Sequence, residues 1–116
     1  MGMVGNLNLE RAIAHKTEGD YEAALSELRE ALLEEPESAE AHHQLGLVYG
    51  FIGEFDDSIG ELKKATDLER NNLVALNDLA KTYAMLGMYE EARLGFEEVL
   101  RLDPGNEVAR QNLMFF

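Results

Sequence analysis

The side chains best suited to chemistry in this sequence are three histidines, His15, His42 and His43, and a set of adjacent carboxylates. Imidazole is the usual metal ligand and proton carrier near neutrality. His42 and His43 are neighbours, however, so on a helix they point about 100° apart and cannot both hold one ion well. His15 lies far upstream of both. The pairs Glu90-Glu91 and Glu97-Glu98 read as solvated outer faces of helices, with Glu97 spaced to meet Arg101 at i,i+4. There are no cysteines, which excludes disulfides and thiol nucleophiles. No phosphate loop, dinucleotide fingerprint or Ser-His-Asp spacing is found. The expectation is therefore no catalytic residues, no metal and no cofactor, and so no enzyme.

Charge narrows the partners. The chain carries 23 acidic and 10 basic residues, a net charge of -13. Nucleic acids and anionic membranes are bound through clustered Lys and Arg that displace counterions, so neither is expected as a partner. A basic segment would be attracted instead. No apolar run approaches the roughly 20 residues that span a bilayer. The start, Met1-Gly-Met-Val-Gly-Asn, lacks the basic and apolar regions of a secretory leader. Asn6 stands where a myristoylation motif has Ser or Thr, so no lipidation is expected and the cytoplasm is the default compartment.

Binding residues need elements to position them, and those elements repeat. Gly19, Gly53 and Gly87 are 34 residues apart, as are the aromatics Tyr21, Phe55 and Tyr89. The same step relates the small residues Ala24, Ser58 and Ala92, the large Leu28, Leu62 and Phe96, and Ala31, Ala65 and Val99. Upstream, Ala12, Gly46 and Ala80 make a small column, and Tyr49 and Tyr83 an aromatic one. A fixed period in the range of roughly 20–50 residues marks stacked supersecondary units. Within one unit, Leu45, Val48, Tyr49 and Ile52, then Ile59, Leu62, Ala65 and Leu68, keep helical spacing. The glycine column stands where a helix ends on a left-handed residue. Ser38, Asn72 and Asn106, again 34 apart, stand where helix N-caps are needed. The spacing predicts helices over 6–18, 21–34, 39–52, 55–68, 73–86 and 89–102, and a last one from 107. The small column would let paired helices approach closely.

Leu45-Gly46 with Tyr49, Gly53, Phe55, Ser58, Leu62 and Ala65 resembles the tetratricopeptide repeat signature, and Leu79-Ala80 through Pro104 follows it more closely. The resemblance implies an all-α fold, a right-handed α-α superhelix of three helix-turn-helix repeats and a closing helix. One domain would cover 1–116, with repeats at 5–38, 39–72 and 73–106 and a capping helix over 107–116. The first repeat departs from the pattern. Asn8, Arg11 and His15 stand in columns held elsewhere by His42 and Leu76, Leu45 and Leu79, Tyr49 and Tyr83. End repeats carry such polar residues because nothing packs on their outer side.

The resemblance further implies that the first helix of each repeat lines a concave groove. Leu9, His43, Asn77 and Gln111 would form one groove column, and Ile13, Leu47, Lys81 and Phe115 another. Gln44 and Asp78 would belong to a third, with Phe51 and Met85 beside them. That lining is an apolar stripe edged by amides and charges, the pattern of a surface that receives a segment of another protein. Gly50, inside a helix on the groove side, costs about 1 kcal/mol against Ala and would let a ligand backbone come close. A branch of the family grips the terminal carboxylates of chaperone tails with Lys and Asn, then Asn, then Lys and Arg. The matching positions hold Leu9 and Ile13, Gln44, and Val74 and Asp78, so that ligand is not expected. The expected function is a protein-interaction scaffold or adaptor for an apolar peptide or helical segment, with a basic residue near Glu10, Glu40 or Asp78. Two alternatives stand beside it. One is self-assembly, a homodimer through the groove or the Leu113–Phe116 end. The other is a secretion-chaperone-like binder of apolar client segments.

Overall fold

The computed structural model describes residues 3–116, with side chains from Leu7 onward. The readings made on Met1 to Asn6 as a leader or lipidation site lie outside the described side chains. Among the described residues seven helices follow one another: α1 (Met3–Glu18), α2 (Tyr21–Glu34), α3 (Ala39–Phe51), α4 (Phe55–Leu68), α5 (Leu73–Met85), α6 (Tyr89–Leu102) and α7 (Glu107–Leu113). The fold is the expected all-α superhelix, and the helix limits agree with the spacing to within a residue apart from an earlier start of α1.

Each corner is built from the residue types that repeat. Gly19, Gly53 and Gly87 adopt φ of 83°, 84° and 76°, values that strain a residue with a Cβ. After each glycine the next backbone N–H reaches back five residues, from Asp20 to the His15 carbonyl, Glu54 to Tyr49 and Met88 to Tyr83, always at 2.9 Å. These bonds close the helix ends in the manner of a Schellman turn. The second type of corner ends in a cap: Ser38 accepts from the Ala41 N–H, Asn72 from Ala75 and Asn106 from Ala109. Each cap satisfies one backbone donor that the helix start leaves orphaned.

The helices pack most extensively as the hairpins α1–α2, α3–α4 and α5–α6, and α2–α3, α4–α5 and α6–α7 join successive units. The first helices also touch each other, α1 with α3 and α3 with α5. Leu28, Leu62 and Phe96, the large apolar column, are all fully buried, as are Ala24 and Ala92 beside it. Ser58 sits in that small column because its hydroxyl donates to the Gly46 carbonyl at 2.7 Å, so no buried donor is left unmade. The small column does bring helices close. A Cβ on Gly46 would lie 2.7 Å from Leu62 Cγ, and one on Gly95 would lie 2.9 Å from the Ala80 methyl. Gly95 is thus required by the α5–α6 contact.

On the outer face the pairing of charges differs from the i,i+4 expectation. Arg93 engages both Glu90 and Glu97, the latter at 2.9 Å, and Arg101 turns to Glu98 with Nε at 2.7 Å. One guanidinium fork between two carboxylates leaves Arg101 to the acid three residues before it. That hydrogen bond pulls the Glu98 carboxyl below the usual carboxylate range. Among the described residues no helix is long and apolar enough to cross a membrane.

Candidate functional site

Two helices that begin with the same kind of side-chain cap and end at the same kind of corner hold their faces in register, and α3 and α5 do so across the middle of the molecule. Between them opens a cleft of about 320 Å³. Leu47, Gly50 and Phe51 of α3 form one wall, Asp78, Lys81 and Met85 of α5 the other, and Phe55 and Ser58 of α4 close the end. Phe51 is 60% exposed and Met85 68% exposed, high values for side chains of that size. The Phe51 ring is held from behind by a stack on Tyr21 of α2, centroids 5.5 Å apart. Asp78 and Lys81 are the charged residues of this lining.

Five of the eleven expected groove residues therefore meet in one place: Leu47, Phe51, Asp78, Lys81 and Met85. The others are placed elsewhere. His43 and Asn77, 5% exposed each, are buried although their column was expected to face the groove. His43 Nε2 donates to Asp78 Oδ2 at 2.7 Å, which draws the imidazole into the α3–α5 contact. Asn77 Nδ2 donates to Asn106 Oδ1 at 3.1 Å and ties α5 to the cap of α7. Gln44 is buried between Lys16 of α1, whose Nζ donates to it at 2.6 Å, and Glu40, to which it donates at 2.8 Å. Leu9 is packed against the first core cluster, and Ile13 is half-buried. Phe115, 85% exposed, lies at the far end in a second cleft of about 630 Å³ with Ala84, Tyr89, Arg93, Asn112 and Phe116.

His42 also has partners. Its Nε2 donates to the Pro36 carbonyl at 2.8 Å, and its Nδ1 stands 2.7 Å from Glu61 Oε1 on α4. The two adjacent histidines thus point to different helices, and no group of three His, Asp or Glu among the described residues is arranged to hold a metal. Phe55, Ser58 and Thr82 line the cleft without standing in an expected groove column. The signal for Phe55 was present, because the Tyr21, Phe55 and Tyr89 column opens every second helix beside the corner.

Three family models described as tetratricopeptide repeat match consecutive stretches, residues 5–48, 39–72 and 74–106. The chain belongs to the tetratricopeptide repeat family. No curated protein matches it. Among solved structures, the first such domain of Spaghetti (RPAP3), bound to the HSP90 peptide SRMEEVD, is similar over 99% of this chain and 91% of that one, at 20% identity and a TM-score of 0.92. The Arabidopsis OM64 domain is similar over 98% and 97%, at 19% identity and a TM-score of 0.89. The second domain of human RPAP3, in complex with the HSP70 peptide SGPTIEEVD, covers 97% and 94%, at 24% identity and a TM-score of 0.89. The tetratricopeptide repeats here share that backbone.

Proposed function

We propose that this tetratricopeptide repeat domain is a protein-interaction module whose α3–α5 cleft receives an apolar segment of a partner. The observation behind the reading is the apolar wall of half-buried Leu47 and exposed Phe51 and Met85 around a cleft wide enough for one or two side chains. Exposed aromatic and thioether groups gathered in one concavity are how binding surfaces are composed. Two of the neighbours named above, the RPAP3 domains, are bound to peptides ending in Glu-Val-Asp. This domain carries a net charge of -13, and hydrocarbon side chains stand at Leu9, Ile13 and Val74 where donors to a carboxylate would be needed. These features support an apolar or basic segment over an acidic tail as the ligand.

The test is selection of binders from a displayed random-peptide library, followed by affinity measurement on Leu47→Glu with Phe51→Glu. The double variant should lose more than about tenfold in affinity while still folding, as checked by circular dichroism, since Phe51 is exposed and Leu47 only half-buried on α3. Selected peptides that hold the folded double variant as tightly as the wild type would remove the cleft from the proposal. A second reading, self-assembly through the C-terminal end, is favoured by Met114 and Phe115, which are 82% and 85% exposed.

A further inference from the structure

We infer that the cleft selects a segment bearing a lysine or arginine, that Asp78 anchors this cation, and that Lys81 competes for the anchor from within the chain. The inference rests on the α3–α5 cleft as the binding surface and concerns what that surface discriminates.

Asp78 is the one carboxylate in the cleft lining. Its two oxygens differ. Oδ2 accepts a hydrogen bond from the buried His43 at 2.7 Å, so the carboxylate is fixed from behind and turned toward the cleft. Oδ1 faces the Lys81 ammonium at 3.5 Å, an ion-pair distance without a hydrogen bond. Asp78 is 17% exposed and Lys81 is 47% exposed. A fixed, little-exposed anion therefore lies beside a half-exposed cation. The energetics of such a pair are small, because an exposed lysine gives up side-chain freedom and hydration to hold the contact. A ligand ammonium or guanidinium delivered by an apolar segment has already been positioned by that segment's burial, so it gains the carboxylate at a lower entropic cost. The apolar wall of Leu47, Phe51 and Met85 supplies that burial and lowers the local dielectric around the ion pair. The domain's net charge of -13 favours the same partner at long range.

His43 is a positioning residue in this scheme, and Lys81 sets the threshold. With Lys81 in place, a ligand without a cation is not penalised, and a ligand with one must displace the lysine and tolerate its charge nearby. Removing Lys81 should therefore tighten binding, and only for cationic ligands.

Two tetrapeptides test this, acetyl-Leu-Lys-Leu-Phe-amide and its norleucine counterpart at the lysine position. Each is titrated into 15N-labelled wild type and Lys81→Met, following the amide resonances of Leu47, Phe51 and Met85. Lys81→Met should tighten the lysine peptide about two- to fivefold, the value of an exposed ion pair, and leave the norleucine peptide unchanged. Asp78→Asn should cancel the preference between the peptides. Equal affinities for the two peptides in both wild type and Lys81→Met would overturn the anchor while leaving the apolar cleft standing. Failure of both peptides to move those resonances in any protein would overturn the anchor together with the cleft reading it rests on.

Discussion

Two glycines four residues apart on α3 show how differently one residue type can be used. Gly46 is enforced by packing, since an added Cβ would meet Leu62 Cγ at 2.7 Å and the Leu62 backbone nitrogen at 3.2 Å. Leu62 is fully buried and has no room to retreat. Gly50 is not enforced, since its Cβ would make an ordinary contact with Ser58 Oγ at 3.5 Å. Glycine inside a helix costs about 1 kcal/mol against alanine, so Gly50 keeps the fold less stable than it needs to be while it opens the floor of the cleft. The same substitution should thus act with opposite signs. Gly46→Ala should lower stability by about 1–3 kcal/mol through overpacking, and Gly50→Ala should raise it by up to about 1 kcal/mol while weakening cleft-bound peptides. Urea denaturation read beside peptide affinity decides. Gly50→Ala that gains stability with no loss of binding would leave that glycine without a role in the cleft.

At the scale of the elements, a period of 34 residues was enough to place the helices, because corners and caps depend on local chemistry that the period displays. Glycine where φ is positive, Ser or Asn before a helix, and a fully buried Leu28, Leu62 and Phe96 column are all visible as columns. What the period hides is the partner of each polar side chain, since that partner sits on another helix and changes from one repeat to the next. His43 and Asn77 share a column, yet one bonds Asp78 and the other bonds Asn106. Phe116 likewise gave no sign of its place: it folds back on α6, its ring 5.9 Å from Tyr89 and 6.3 Å from Phe96. The caps make the distinction measurable. Asn72 caps α5 and otherwise only bonds the exposed Glu69, so Asn72→Ala should cost about 1 kcal/mol. Asn106 caps α7 and also receives the buried Asn77 amide. Asn106→Ala leaves that amide unpaired and should cost about 1–3 kcal/mol more. Equal losses for the two variants in chemical denaturation would mean that Asn77 is satisfied in another way.

For the whole molecule, an extended body of 41 × 28 × 21 Å with a net charge of -13 repels its own copies and attracts basic segments. Both effects are screened by salt, with a Debye length of about 30 Å at 0.01 M and about 3 Å at 1 M, so salt must move the two binding modes in opposite directions. Raising ionic strength weakens the hold of the cleft on a lysine-bearing peptide and removes the barrier to contact between apolar ends. Met114, Phe115 and Tyr89 are exposed together at one such end, where Phe116 is already engaged by α6. Light scattering across protein concentration should therefore show a monomer at low salt and a growing mass at high salt. Met114→Ser with Phe115→Ser should suppress that growth, and because both side chains are above 80% exposed the fold should be unaffected. Growth that persists in this double variant would move self-association to another surface, with the cleft the next to be tested through Leu47→Glu and Phe51→Glu. A mass that never changes with salt would leave charge repulsion with nothing to oppose, and the C-terminal end would then have no part in assembly.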